Sequence, residues 1–165
     1  MSESKSNQTK TAGREVVITR TFDAPPELVW KAWTEPDRFM RWWGPKIFTS
    51  PSCEIDLRVG GKFLWCMEWP DGRRNYTTGE YVEIVPCERL AYNTWFSDAD
   101  GNIVPATHYG MNTDIELMQV TVTFEDQSGK TKMTLTHTGF PEDEISESAT
   151  QGWNESLDKL AESLR

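Results

Sequence analysis

Histidine, cysteine and basic charge are all in short supply in this chain of 165 residues. Its two histidines, His108 and His137, lie far apart and no His, Cys and carboxylate cluster of workable spacing surrounds either, so no metal site is expected. Three cysteines, Cys53, Cys66 and Cys87, include no CxxC pair and are odd in number, which excludes a complete disulfide framework and points to a reducing cytoplasm. With 17 basic against 26 acidic side chains the formal net charge is −9, which repels a phosphate backbone and argues against nucleic acid as a partner. No run approaches the ~18 apolar residues of a membrane span. The opening MSESKSNQTKTAGRE also lacks the apolar segment of a secretory signal.

Recognisable reaction chemistry is lacking too. There is no GxSxG motif and no Cys/His nucleophile signature. Gly60-Gly61 does not lead into the helix that a phosphate-cradling loop needs, and reads as a turn. Asp98, Asp100 and Asn102 begin like a calcium loop, but Ile103 stands where its glycine is required and Tyr109 where its glutamate is required. Asp56 and Arg58, two apart, read as a surface ion pair. No catalytic residue, metal or cofactor is assigned from the sequence.

What the chain has is aromatic mass and period-two alternation: aromatic residues make up 12% of it, with eight tryptophans. The polar segment up to about Gly13 has no periodicity and is expected to be a disordered tail over residues 1–13, leaving one domain over 14–165. Val16, Ile18 and Arg20 alternate with Val17, Thr19 and Thr21 as a first strand. Ala24-Pro25-Pro26 stops it, and short helices are predicted over Glu27 to Thr34 and Pro36 to Trp43 before Gly44-Pro45 breaks the second.

A hairpin is predicted next, with Cys53, Ile55, Leu57 and Val59 on one arm and Phe63, Trp65, Met67 and Trp69 on the other. Strands follow at Asn75 to Val85 and Arg89 to Ser97, then a long loop to Thr113, then two strands around Met118 to Phe124 and Met133 to His137. From Ser146 to Leu164 the apolar Ala149, Trp153, Leu157, Leu160 and Leu164 recur at helical spacing, which predicts a long amphipathic helix.

If Phe63, Trp65, Met67, Tyr92, Phe96, Val120, Val122 and Leu135 point inward, they form an apolar wall facing Trp153 and Leu157 of the long helix. Alternation puts His137 on the same face, either as a core histidine bonded to a neighbour or as a group that orients a bound polar atom. Trp42-Trp43-Gly44-Pro45 is placed to cap one end, with Trp43 as its candidate contact. A filled core and a ligand cavity fit this pattern equally well.

The order of elements resembles the helix-grip fold of the START-like superfamily, also called SRPBCC. Within it, FDAPPELVWKAWTEPDRFMRWWGP at 22–45, DLRVGGKF at 56–63, PDG at 70–72, GEYVEIVPCERL at 79–90 and GW at 152–153 followed by LDKLAESL are similar to the family of activators of heat-shock-protein-90 ATPase homologues. The resemblance implies an α+β domain in which a curved antiparallel sheet of about six to seven strands wraps a long C-terminal helix, with two short helices after the first strand.

Members of the superfamily mostly hold apolar small molecules between sheet and helix, and some related proteins are cyclases or hydrolases. An apolar or amphipathic small molecule is therefore the expected partner, bound by Trp43, Phe63, Trp65, Met67, Tyr92, Phe96, Val120, Val122, Leu135, His137, Trp153 and Leu157. The family also implies a chaperone as an alternative partner, docked on the acidic surface or on the sheet face. The eukaryotic activators carry an additional N-terminal region that this chain does not show, which weakens that alternative. Oligomeric state is left at monomer or homodimer.

Overall fold

Alternation builds the strands of the computed structural model, which describes residues 7–11, 15–111, 115, 117–141 and 143–165. In β2 (Glu15–Phe22), Val16, Ile18, Arg20 and Phe22 are buried and the residues between them are half-buried. Further along, β7 (Met118–Gln127) buries Met118, Val120, Val122 and Phe124, and β8 (Lys130–Thr138) buries Thr131, Met133, Leu135 and His137. With β1 (Asn7–Thr11), β3 (Cys53–Ile55), β4 (Lys62–Glu68), β5 (Arg74–Val85) and β6 (Arg89–Ser97) they form one antiparallel sheet in the order β1-β2-β8-β7-β6-β5-β4-β3. The six strands from β3 to β8 are the expected meander, and β2, the expected first strand, closes on β8.

The eighth strand corrects the sequence reading. Asn7–Thr11 does not belong to a structureless tail: it pairs antiparallel with β2 from Asn7↔Arg20 to Thr11↔Val16. The remainder of that expected tail, residues 1–6 and 12–13, lies outside the described residues.

Proline sets the helices after β2. Pro25 sits extended before α1 (Pro26–Thr34), whose Val29, Trp30, Ala32 and Trp33 are buried. Pro36 holds Glu35 extended, at φ −97° and ψ 124°, which ends α1 and begins α2 (Pro36–Phe39). The second helix is four residues shorter than expected. Its last turn gives way to looser turns, in which the Trp42 and Trp43 amides both donate to the Phe39 carbonyl, at 3.2 and 3.1 Å. The aromatic side chains still go inward: Trp30 meets Phe124 of β7 edge-on at 5.6 Å, and Phe39 lies 4.5 Å from Trp65 of β4.

The first arm of the predicted hairpin also stops early. The β3–β4 ladder ends at Ile55↔Phe63, and Leu57 and Val59 are 40% and 63% exposed. The Asp56 N–H still donates to the Lys62 carbonyl of β4, and beyond it the backbone turns away to pair with β5: Gly60 N–H donates to the Tyr81 carbonyl, and Tyr81 N–H to the Gly61 carbonyl. Asp56 and Arg58 form the expected exposed ion pair in this turn, at 2.9 Å.

Two features bend the sheet around the long helix α3 (Asp143–Ser163). The β5–β6 register slips between Tyr81 and Glu83, leaving Val82 as an extra residue that increases local twist. At Gly79 the Phe63 ring of β4 lies so close that an added Cβ would stand 2.2 Å from its Cζ and 2.2 Å from the Asn93 carbonyl oxygen. Only glycine allows that approach. On the concave side, Arg20 of β2 reaches α3 through a 2.8 Å bond to Asp158 and a 3.2 Å bond to the Asn154 side chain. Leu157 and Leu160 are fully buried between helix and sheet.

Candidate functional site

The space between sheet and α3 is not filled along its whole length. Around the C-terminal half of the helix it is solid core. Around the N-terminal half it opens into a cavity of about 470 Å³, within the ~300–1,000 Å³ usual for small-molecule sites.

The strands supply its floor. Trp65 and Met67 come from β4, Tyr92 and Phe96 from β6, Val120 from β7 and His137 from β8, all in the phase that alternation points inward. Trp153 covers it from α3 and Trp43 closes one end. These eight residues stand where the sequence reading expected them.

The other four do not line the cavity. Val122 and Leu135 face each other across β7 and β8 one step beyond the Val120↔His137 pair, toward the filled end, and both are fully buried. Leu157 lies one helical turn past Trp153 in the same direction. Phe63 is committed to the space above Gly79 and stacks on Trp65 at 3.8 Å and 16°. Right face and wrong depth describe all four.

Several wall residues carry little apolar signal and escaped the sequence reading. Thr77 faces both Trp65 and Phe96 across its strand pairs, and Thr94 sits between Tyr92 and Phe96 in the same phase. Asn75 extends the same row. Met111 and Ile115 come from the loop before β7, which a 3₁₀ turn at Ala106–Tyr109 anchors: the Tyr109 hydroxyl donates to the Ser97 carbonyl and accepts the Tyr76 amide. Phe140 reaches the wall because Gly139 takes φ +107° with the Leu117 carbonyl only 2.4 Å from where a Cβ would be. On the helix side, Ile145, Ala149, Gly152 and Ser156 recur at three- and four-residue steps.

The Trp42-Trp43-Gly44-Pro45 segment is tied to the helix. Trp42 is fully buried with its indole N–H on the Ala32 carbonyl at 2.9 Å. Gly44, at φ +100°, turns the chain so that Pro45 also meets the cavity. Lys159 Nζ of α3 then donates to the Pro45 and Phe48 carbonyls at 3.1 and 2.9 Å, and the Lys46 amide donates to Glu155 at 3.1 Å.

Charge is excluded from the wall, since no Asp, Glu, Lys or Arg is among the described residues that line it. His137 is the one wall residue that titrates near neutrality in water, and its Nδ1 accepts the Trp153 indole N–H at 2.9 Å. Burial holds its pKa down from the usual 6.5 to about 3, so the ring is neutral throughout the physiological range. Burial also pushes the Cys53 thiol up to about 12 and raises that of Cys66, which leaves both poor nucleophiles. Among the described residues no group of three or more His, Cys, Asp or Glu is arranged to hold a metal ion, and no helix is long and apolar enough to cross a membrane.

The buried histidine has a consequence for stability. As pH falls below about 6.5 the unfolded chain takes up a proton at this position and the folded one does not, so stability is lost progressively toward pH 3. Between pH 7 and pH 5 that amounts to about 2 kcal/mol. His137→Phe removes this part of the pH dependence, so its stability should fall by about 2 kcal/mol less than the parent's over that interval in denaturant melts. Equal slopes in the two proteins would show that the folded ring is hydrated.

Solved structures share the architecture. A protein from Arthrobacter aurescens superposes with a TM-score of 0.78 at 23% identity, covering 95% of this chain and 90% of its own. One from Chromobacterium violaceum gives 0.74 at 27% identity, with 92% and 96% covered. The AHSA1 protein of Silicibacter pomeroyi gives 0.73 at 24%, with 91% and 96% covered. No curated protein matches the chain. The signatures gathered around the helix-grip sheet agree with a family match that spans residues 23–165, and the chain belongs to the Activator of Hsp90 ATPase homolog 1-like protein family.

Proposed function

We propose that residues 14–165 act as a single START-like domain that binds an apolar or amphipathic small molecule between the sheet and α3, in the cytoplasm. The observation that carries this reading is the 470 Å³ cavity with an uncharged, largely apolar wall. A core meant only for stability is close-packed, and a void of this size forfeits dispersion contacts along its whole lining. A bound apolar molecule restores them.

N-phenyl-1-naphthylamine, a neutral probe that brightens in apolar surroundings, tests the proposal. The parent protein should enhance its fluorescence saturably. Ala149→Phe, which projects a ring into the cavity from a half-buried helix position, should weaken binding by about tenfold or more. Its melting temperature should stay close to the parent's. Absence of enhancement in the parent, or unchanged affinity in the variant, would overturn the reading. The family description supports a second reading, a chaperone-docking module, which predicts stimulation of chaperone ATPase activity that Ala149→Phe leaves intact.

A further inference from the structure

One tryptophan stands apart from the rest. Seven of the eight place a ring within 6.0 Å of another aromatic ring, whereas Trp95 of β6 has no ring neighbour among the described residues. Alternation explains why: Tyr92, Thr94 and Phe96 line the cavity, so Trp95 points to the outer face of the sheet, where it is half-buried. Cross-strand partners share a face. Trp95 is opposite Thr78 of β5, and Thr78 is opposite Leu64 of β4. On the other side the Thr94↔Met118 pair sets Leu117 beside Trp95, and because Met118 faces the cavity, Leu117 faces outward, 48% exposed. One row on, Tyr76 pairs with Ser97 and Ser97 with Ile103, which is 61% exposed. Single apolar side chains on a surface need no explanation, but a contiguous group around a tryptophan does.

Charge decides what can cover this patch. The chain carries −9, so two copies repel through any face that holds its share of the excess acid. Neither of these rows contains a charged side chain. Across β4 and β5 the flanking rows carry charge as couples of opposite sign: Lys62 opposite Glu80 on one side, and Arg74 bonded to Glu68 at 2.8 Å on the other. Asp98, next along the chain from Ser97, is turned onto the Asp100 and Asn102 amides at 2.9 Å. The hydroxyls of the patch are occupied as well, Thr78 on the Phe63 carbonyl and Ser97 on the Asp98 carbonyl. A basic partner would find no excess acid here to pair with, and an anionic membrane no spare cation. An identical face meets neither difficulty, because a two-fold contact sets uncharged rows against uncharged rows and leaves the excess acid pointing away.

We propose that the outer face of the sheet around Trp95 is an isologous interface, on which a second copy of this chain docks to form a two-fold dimer. Trp95 stands at its centre, the place where a tryptophan contributes most to association. Few residues take part, so the contact belongs with the small, reversible interfaces. The cavity is on the opposite side of the sheet, and the dimer is independent of the ligand-binding proposal.

Sedimentation velocity over a concentration series from about 1 to 500 μM tests it, with half of the chain expected as dimer at about 10 to 100 μM. Raising NaCl from about 20 to 300 mM should tighten association several-fold, because salt screens the repulsion between two acidic bodies and leaves apolar contacts in place. Trp95→Lys and Leu117→Lys set like charges across the two-fold axis and should each weaken dimerisation by about tenfold or more. Val85→Lys, at the far end of β5, should leave it unchanged. Leu117 is exposed, so Leu117→Lys decides the matter even if Trp95→Lys fails to fold. A parent chain that stays monomeric at the highest concentration would overturn the proposal, and so would a dimer that folded Leu117→Lys leaves intact. Monomers that sediment instead with phosphatidylcholine vesicles would overturn it in favour of a membrane surface.

Discussion

Leu157→Ala is expected to lower stability by about 2 to 5 kcal/mol, the range for truncating a buried leucine whose surroundings relax only in part. Leu157 is fully buried between α3 and the sheet, at the solid end of the interior. The change should move the denaturant midpoint without altering the slope. Under native conditions it should leave N-phenyl-1-naphthylamine affinity within about twofold of the parent's, because Leu157 does not reach the cavity. A stability loss below about 0.5 kcal/mol would put this face of the helix at the surface.

Trp65→Ala should be as costly, about 3 to 5 kcal/mol, but with the opposite signature in binding. One side of the indole is packed against Phe63 at 3.8 Å, Phe39 at 4.5 Å and Trp43 at 4.7 Å, and these contacts are lost. The residue also lines the cavity, so truncation enlarges it and should change naphthylamine affinity several-fold. The two substitutions therefore separate core from cavity at matched cost. A large stability loss in Trp65→Ala with no probe bound by either protein would mean that the aromatic wall is packing alone.

The elements that could be read in the sequence are those whose side chains encode a face. Arg89–Ser97 is a strand with the bounds alternation gives it, and β2, β7 and β8 follow because β-branched and apolar residues recur every second position. The long helix follows from its stripe, although it starts at Asp143 rather than Ser146. Asp143 and Glu144 carry no apolar signal and favour the first turn through the helix dipole. Asn7–Thr11 has no apolar residue at all, and only its backbone pairing with β2 makes it a strand.

The site was legible to the same extent and for the same reason. Period two tells which face Trp65, Tyr92, Val120 and His137 occupy, and the same signal applies unchanged to Phe63, Val122 and Leu135. It holds no information on position along the helix axis, which separates cavity from core here. Thr77 and Thr94 are part of the wall because of cross-strand register, and a small polar residue gives a single sequence nothing by which to mark it.

The pairing of β2 with β8 also bears on how the molecule comes together in time. The facing hydroxyls of Thr19 and Thr134 are 115 residues apart in the chain, whereas β3 to β7 pair with their immediate neighbours in sequence. Neighbour hairpins close cheaply and early, and the long closure waits until the entropy of the intervening chain has been offset. β8 brings His137 through its hairpin with β7, and α3 follows with Trp153, so the cavity comes into existence only once the helix has docked on the sheet. A bound molecule consequently has nothing to hold while the meander forms. It acts on the lifetime of the closed state, slowing unfolding and leaving the rate of folding as it was.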